Sequence, residues 1–201
     1  MPKTVHGLAA ALPVANVDTD VIMPKRFLIT ITREGLAEGT FADLRFHEDN
    51  TPRTDFVLNT HPWHEARILV VGDNFGCGSS REHAVWGLVQ LGVQGIIGTS
   101  FAGIFYDNAR KNGLALPMVS PEVRDRLMHA ASHEDGVNYT IDIENRVIRM
   151  GEAKLPFEMD DATQTAHLEG RDDTLNSLEF ADAIRKYESG LGERQRARVI
   201  Q

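Results

Sequence analysis

One cysteine, Cys77, stands in a chain of 201 residues. A single thiol excludes an internal disulfide, and it excludes an iron–sulfur or zinc–thiolate site built from this chain alone. Long apolar runs are also missing. Nothing approaches the roughly 20 residues needed to cross a bilayer, and Met1–Leu12 shows no signal-peptide pattern, so a cytoplasmic protein is expected. Basic residues number 21 against 29 acidic ones, for a net charge of −8, and no basic block sits in the regularly patterned part. That argues against nucleic acid, whose phosphates need a concentrated positive surface. There is no internal repeat and no low-complexity stretch. The histidines show metal-ligand spacing only at His61-x-x-His64, around Pro62 and Trp63 in an expected loop, which is a weak signal. The expected arrangement is one domain over 1–201, with its core over about 5–189 and a frayed polar tail over 190–201.

The clearest regularity runs from Ala66 to Val119. Ile68-Leu69-Val70-Val71 is a continuous apolar run, the pattern of a strand buried on both faces. After a glycine-rich turn, Ser80 to Leu91 places Ala84, Val85, Leu88, Val89 and Leu91 on one helical face. Gly92 ends that helix, and Gln94 to Gly98 reads as a second buried strand. A second helix, Phe101 to Lys111, carries Phe101, Ile104, Phe105 and Ala109 on one side, and Asn112-Gly113 supplies its stop signal. Leu114 to Leu116 makes a third strand. Strand–helix–strand–helix–strand predicts parallel strands with right-handed crossovers. The first 60 residues are strand-like and loop-rich. Beyond Pro121 the pattern predicts a helix to His133, a hairpin from Tyr139–Ile143 to Arg146–Met150, and a last helix near Ser177–Glu188.

The turn itself, Gly72-Asp-Asn-Phe-Gly-Cys-Gly-Ser-Ser-Arg-Glu-His-Ala84, carries the chemistry. Glycines between a buried strand and a helix leave backbone N–H groups at the positive end of that helix. Ser79, Ser80 and Arg81 come directly after, and backbone donors with an arginine fork suit a carboxylate or phosphate. A plainer reading exists: Ser79 as N-cap with Glu82 three residues on is a capping box. That does not account for three glycines and Arg81 crowded against the same cap, so an anion site is favoured. A nucleotide loop fits badly. No lysine comes after Gly78, Arg81 stands where a dinucleotide fingerprint needs its last glycine, and no acidic residue stands about 20 positions on.

Asn74-Phe75-Gly76-Cys77-Gly78-Ser79-Ser80-Arg81-Glu82-His83-Ala84 resembles the active-site serine loop of the aconitase superfamily. Asn16-Val17-Asp18-Thr19-Asp20-Val21-Ile22-Met23-Pro24 resembles a second motif of that superfamily. Together with the length, the two are similar to the small subunits of 3-isopropylmalate dehydratase (isopropylmalate isomerase). The likeness covers most of Val5 to Val119 and weakens after Pro121. It implies an α/β fold of the aconitase swivelling β/β/α type, a central, partly parallel sheet with helices and a smaller antiparallel layer. It also implies a hydro-lyase of leucine biosynthesis, active only as a hetero-oligomer with a large subunit that carries a [4Fe–4S] cluster, and no metal on this chain.

By that resemblance Ser79 is the base that removes a proton from the carbon next to the leaving hydroxyl. Water leaves to give 2-isopropylmaleate and re-adds with opposite regiochemistry. Asp20 matches an aspartate that orients polar groups near the base; a turn residue is its plain alternative. Arg81 would clamp a substrate carboxylate and Ser80 would hydrogen-bond it, with Asn74 and Gly78 completing the binding loop. Phe27, Leu28, Ile29 and Thr30 match the specificity segment, and Phe27 or Leu28 is equally readable as ordinary core. Relatives that take an extra carboxylate place an arginine where Ile29 stands. An apolar Ile29 cannot pair a charge, but it can cover an isopropyl group, worth roughly 1–3 kcal/mol of selectivity. Lys25 and Arg26 can steer a dianion or simply be solvated. Two other readings stay open: a small subunit acting on methylmalate (citraconate), and a non-catalytic anion-binding interaction module.

Overall fold

The computed structural model describes residues 3–28, 35–78, 81–170 and 180–190. The chain forms two compact units, residues 1–169 and 170–201. The first is organised by one six-stranded sheet. Its strands are β1 (Thr4–Leu12), β2 (Ile68–Val71), β3 (Gly95–Ile97), β4 (Val137–Asp142), β5 (Val147–Met150) and β6 (Ala153–Pro156), in the spatial order β3-β2-β1-β4-β5-β6.

β1 divides the sheet in character. On one side β1, β2 and β3 are parallel, with Ala9 opposite Ile68 and Ile68 opposite Gly95. On the other side β4, β5 and β6 form an antiparallel meander, starting with Thr4 opposite Asp142. The antiparallel strands thus continue the same sheet across β1. The third segment of the expected parallel unit lies beside β3 through separate bridges, Gly95 to Ala115 and Gly98 to Met118. Pro117, with no N–H to donate, stands between them and interrupts the ladder.

The four side chains of β2 are fully buried, as its unbroken apolar run requires. They alternate between two cores. Leu69 and Val71 join α4 (Glu82–Gln90) and α5 (Gly103–Lys111) through Ala84, Val85, Leu88, Phe105 and Ala109. Ile68 and Val70 join Leu127 and Ala131 of α6 (Pro121–Ala131) and Tyr139 of β4. Each such side chain contributes about 1.5–3 kcal/mol by leaving water. Two apolar positions expected on buried helix faces are instead exposed, Val89 at 41% and Ile104 at 53%; each helix spends its core-facing surface on fewer residues than its apolar stripe contains.

The stretch expected to be strand-like before residue 60 holds β1 and then short helices, α1 (Thr19–Ile22), α2 (Leu36–Gly39) and α3 (Ala42–Arg45). α7 (Asp161–Glu169) closes the first unit. In the second unit, α8 (Ala181–Gly190) carries an Arg185–Asp182 ion pair at 2.6 Å along its own surface. The segment 190–201, expected to fray, lies outside the described residues except for Gly190.

Candidate active site

Two stretches remote in sequence run side by side at the C-terminal end of β2. Asn16 N–H donates to Asp73 O at 2.8 Å, Gly76 N–H to Val17 O at 2.8 Å and Thr19 N–H to Cys77 O at 2.8 Å. Asp18 and Cys77 form a parallel bridge. Asp18 then turns the chain into α1, its carboxylate accepting from Val21 N–H at 2.7 Å as an N-cap. The next residue but one is Asp20. The other side of the glycine-rich loop is pinned to α5's approach: Ala102 N–H donates to Phe75 O at 3.1 Å, and Asn74 N–H to Ser100 Oγ at 2.9 Å.

This packing accounts for two of the loop's three spaced glycines without any ligand. A β-carbon on Gly72 would lie 2.4 Å from Val14 O, and one on Gly76 would lie 2.2 Å from Phe105 Cγ. Gly78 is different. Its φ of +91° favours glycine, yet its nearest would-be neighbour is Asp18 Cβ at 3.3 Å and it is exposed. Of the three, only Gly78, with the residues just C-terminal to it, is left free to serve an anion cradle.

Arg81 is the first of these that the structure describes. Its Nη1 donates to Asp20 Oδ1, and the other oxygen, Asp20 Oδ2, stands 3.7 Å from Lys25 Nζ. The Arg81 side chain is 19% exposed and that of Asp20 40%. A partly sheltered guanidinium is thus held by a carboxylate at the surface. It carries five N–H donors, so one carboxylate oxygen does not exhaust it. Lys25 brings a second cation to the same carboxylate. One acidic and two basic groups leave a net positive site, which suits a dianion. Asp20 and Arg81, expected to share a site, are brought together directly.

The alternative reading as a capping box rests on Ser79, which lies outside the described residues. α4 begins at Glu82, with Arg81 in extended conformation (φ −122°, ψ 109°) at its N-cap position and no side-chain cap. Glu82 Oε1 accepts from Asn112 Nδ2 at 2.8 Å. Ser80 lies outside the described residues as well, as do Ile29 and Thr30.

The remaining expected residues sit apart from the ion pair. Asn74 (φ +55°) donates through Nδ2 to Asn16 Oδ1 at 2.9 Å, fastening the two motifs at the far end of the loop. Its neighbour Asp73 accepts from Thr99 Oγ1 and pairs with Arg124 at 3.0 Å, and these two hold its carboxyl below the usual range. Phe27 and Leu28 are half-buried and pack against the core that contains α4. Phe27 lies under the Arg26 guanidinium, 4.9 Å from its ring centroid, and Arg26 pairs with Asp43 at 2.6 Å. An open groove of about 1040 Å³ lies beside Phe27, lined by Arg26, Asp43, Phe46, His47 and Arg53 among others, but not by Asp20 or Arg81. The Asp20–Arg81–Lys25 group is therefore a surface half-site without walls of its own among the described residues. His61 and His64, ring centroids 5.8 Å apart, have no third ligand: among the described residues no three His, Cys, Asp or Glu side chains are placed to hold a metal ion.

Residues 2–122 match the family model of the aconitase C-terminal domain. A 3-isopropylmalate dehydratase small subunit from Rhizobium rhizogenes is 51% identical over 183 residues, 90% of this chain and 91% of the relative. One from Brucella anthropi is 46% identical over 188 residues, covering 93% and 94%. Among solved structures, a 3-isopropylmalate dehydratase from Methanocaldococcus jannaschii superimposes with a TM-score of 0.64 at 27% identity, covering 92% of this chain and 99% of that one.

Proposed function

The chain belongs to the 3-isopropylmalate dehydratase small-subunit family, built on the aconitase C-terminal domain, and from that premise we propose that it is the small subunit of a two-chain hydro-lyase. Its reaction is the interconversion of 2-isopropylmalate and 3-isopropylmalate through 2-isopropylmaleate, a step of leucine biosynthesis. The observation that carries this reading is the Arg81–Asp20 pair, which joins the two motifs over a gap of 61 residues.

Each residue has a role that its chemistry supports. Arg81 takes a substrate carboxylate in a forked, charge-assisted hydrogen bond. Asp20 holds the guanidinium in place while Lys25 adds positive potential. Ser79, two residues before Arg81 and at the approach to α4, is the base that takes the proton from the substrate carbon. Its alkoxide needs stabilisation, which Arg81 and the N–H groups at the start of α4 supply. In this reading Ser80 hydrogen-bonds the same substrate carboxylate, Gly78 belongs to the binding loop, and Ile29 with Thr30 covers the alkyl group. Apolar cover at Ile29 favours isopropylmalate over acids with a further charge.

The metal group this family implies is a [4Fe–4S] cluster. This chain does not fit it: the cluster takes several thiolate ligands, and Cys77 is the sole cysteine. The cluster is therefore assigned to a large subunit, and the half-site of Asp20, Lys25 and Arg81 is completed at the interface with it.

The test is isomerisation of 3-isopropylmalate by this chain mixed with its large subunit, reconstituted without oxygen, for wild type and Ser79→Ala. Turnover by wild type, with a loss of at least about a hundredfold in a Ser79→Ala chain that still binds its partner, is the expected result. Equal turnover by the variant would remove Ser79 as the base. No turnover by wild type, with turnover of citraconate-derived methylmalate in its place, would move the substrate assignment.

A further inference from the structure

Asn112 reads from sequence as half of an Asn-Gly helix stop, yet its side chain serves more than the stop. Gly113 makes the left-handed turn, at φ +74°, while Asn112 stays at φ −100°. Gly113 supplies the left-handed residue that ends α5. The Asn112 carboxamide reaches the beginning of α4. Its Nδ2 donates to Glu82 Oε1 at 2.8 Å and to Asn108 O at 2.9 Å, and its Oδ1 accepts from Trp86 Nε1 at 3.0 Å. Glu82 and Trp86 are four residues apart, so they stand one above the other on α4. One amide thereby fixes both the height and the rotation of the first turn of that helix. The His83 ring, 4.8 Å from Trp86, packs against the same turn.

What this turn carries is Arg81. Arg81 is the residue immediately before Glu82, has no side-chain cap of its own, and is linked onward by Ala84 N–H donating to Arg81 O at 3.2 Å. We propose that Asn112 is a positioning residue for the anion site: by clamping Glu82 and Trp86 it sets where the Arg81 guanidinium meets Asp20 and the substrate carboxylate. The substrate-carboxylate role of Arg81 rests on the proposed function; the clamp rests on the contacts alone.

The experiment uses the reconstituted two-subunit complex and exchanges donor for acceptor. Asn112→Ala removes the clamp and should raise KM for isopropylmalate about tenfold, with kcat changed less than about threefold. Asn112→Asp sets a second carboxylate against Glu82 and should do worse. Combining Glu82→Gln with Asn112→Asp reverses the bond between the two side chains. The new amide at position 82 donates to the new carboxylate at position 112, which still accepts from Trp86 but loses the bond to Asn108 O, and the net charge is unchanged. KM should return to within about threefold of wild type. A merely structural role would lower stability in all three without the KM-against-kcat split or the rescue. An unchanged KM in Asn112→Ala, or a double variant no better than Asn112→Asp, would overturn the proposal. Hydrogen exchange at the Ala84 amide of the isolated small subunit reads the clamp without turnover. It should quicken in Asn112→Ala and recover in the double variant; unchanged exchange sinks the clamp even if the wild-type complex proves inactive, an inactivity that would count against the proposed function instead.

Discussion

A β-carbon at position 76 has nowhere to go: Phe105 Cγ would be 2.2 Å away, and φ there is +79°. Overpacking a rigid core site costs about 1–3 kcal/mol, and a left-handed backbone adds about 1 more for a residue with a side chain. Gly76→Ala should therefore lose about 2–4 kcal/mol in urea denaturation, and a loss under about 1 kcal/mol would mean that the loop yields easily. Residue identity alone could not show this. The sequence offers a glycine in a turn, and the reason for it, the Phe105 ring of another element, is tertiary. The same limit applies to Glu82. Nothing near it in sequence announces that its carboxylate meets Asn112, a neutral amide just past the end of another helix. Arg81 was readable from the glycine-rich loop itself, but Asp20 only through the family motif, because nothing local ties positions 20 and 81.

At the level of elements, the parts with a continuous pattern were legible. The apolar run 68–71 is β2 to the residue, and the helices and second strand after it fall within two residues of expectation at their ends. β6 and α7 left no such signal. β6 is four residues with one buried side chain, Leu155, and α7 reads Asp-Ala-Thr-Gln-Thr-Ala-His-Leu-Glu, too polar for a clear stripe. The hairpin that begins with β4 was legible, but its anchor was not. Tyr139 is fully buried in β4, and its hydroxyl donates to Leu127 O of α6 at 2.6 Å. Burial also pushes its phenol well above the usual range, so it remains a neutral donor. Tyr139→Phe keeps the ring and removes that one bond between sheet and helix. The expected cost is about 1 kcal/mol, seen as a lower denaturation midpoint at unchanged slope; a changed slope would mean that α6 detaches.

Considered whole, the molecule carries a single thiol and a small cationic group at its surface. That one thiol rules out a thiolate metal site built from this chain alone, which is visible in composition before any fold is known. How the fold responds to acid is not visible there, because it depends on which histidine is inside. His167 of α7 is 1% exposed, and neither ring nitrogen has a hydrogen-bond partner among the described residues. It faces a small space lined by Tyr106, Arg110, Met159 and Thr163. Burial lowers its pKa from 6.5 to about 4, so the folded state holds it neutral while the unfolded chain takes a proton. Stability is then full above pH 6.5 and falls as the pH drops toward 4, with a ceiling of about 3 kcal/mol for a displacement of this size. Asp142, which burial pushes up but Asn145 and Arg149 pull further down, loses stability in the same direction at lower pH. The difference between His167→Leu and wild type isolates the histidine. Chemical denaturation at about pH 7 and about pH 4.5 should show wild type losing more stability than the variant over that interval, by roughly 2 kcal/mol. Equal losses would mean that His167 finds water or a partner once it is charged, and that the space beside it opens at little cost.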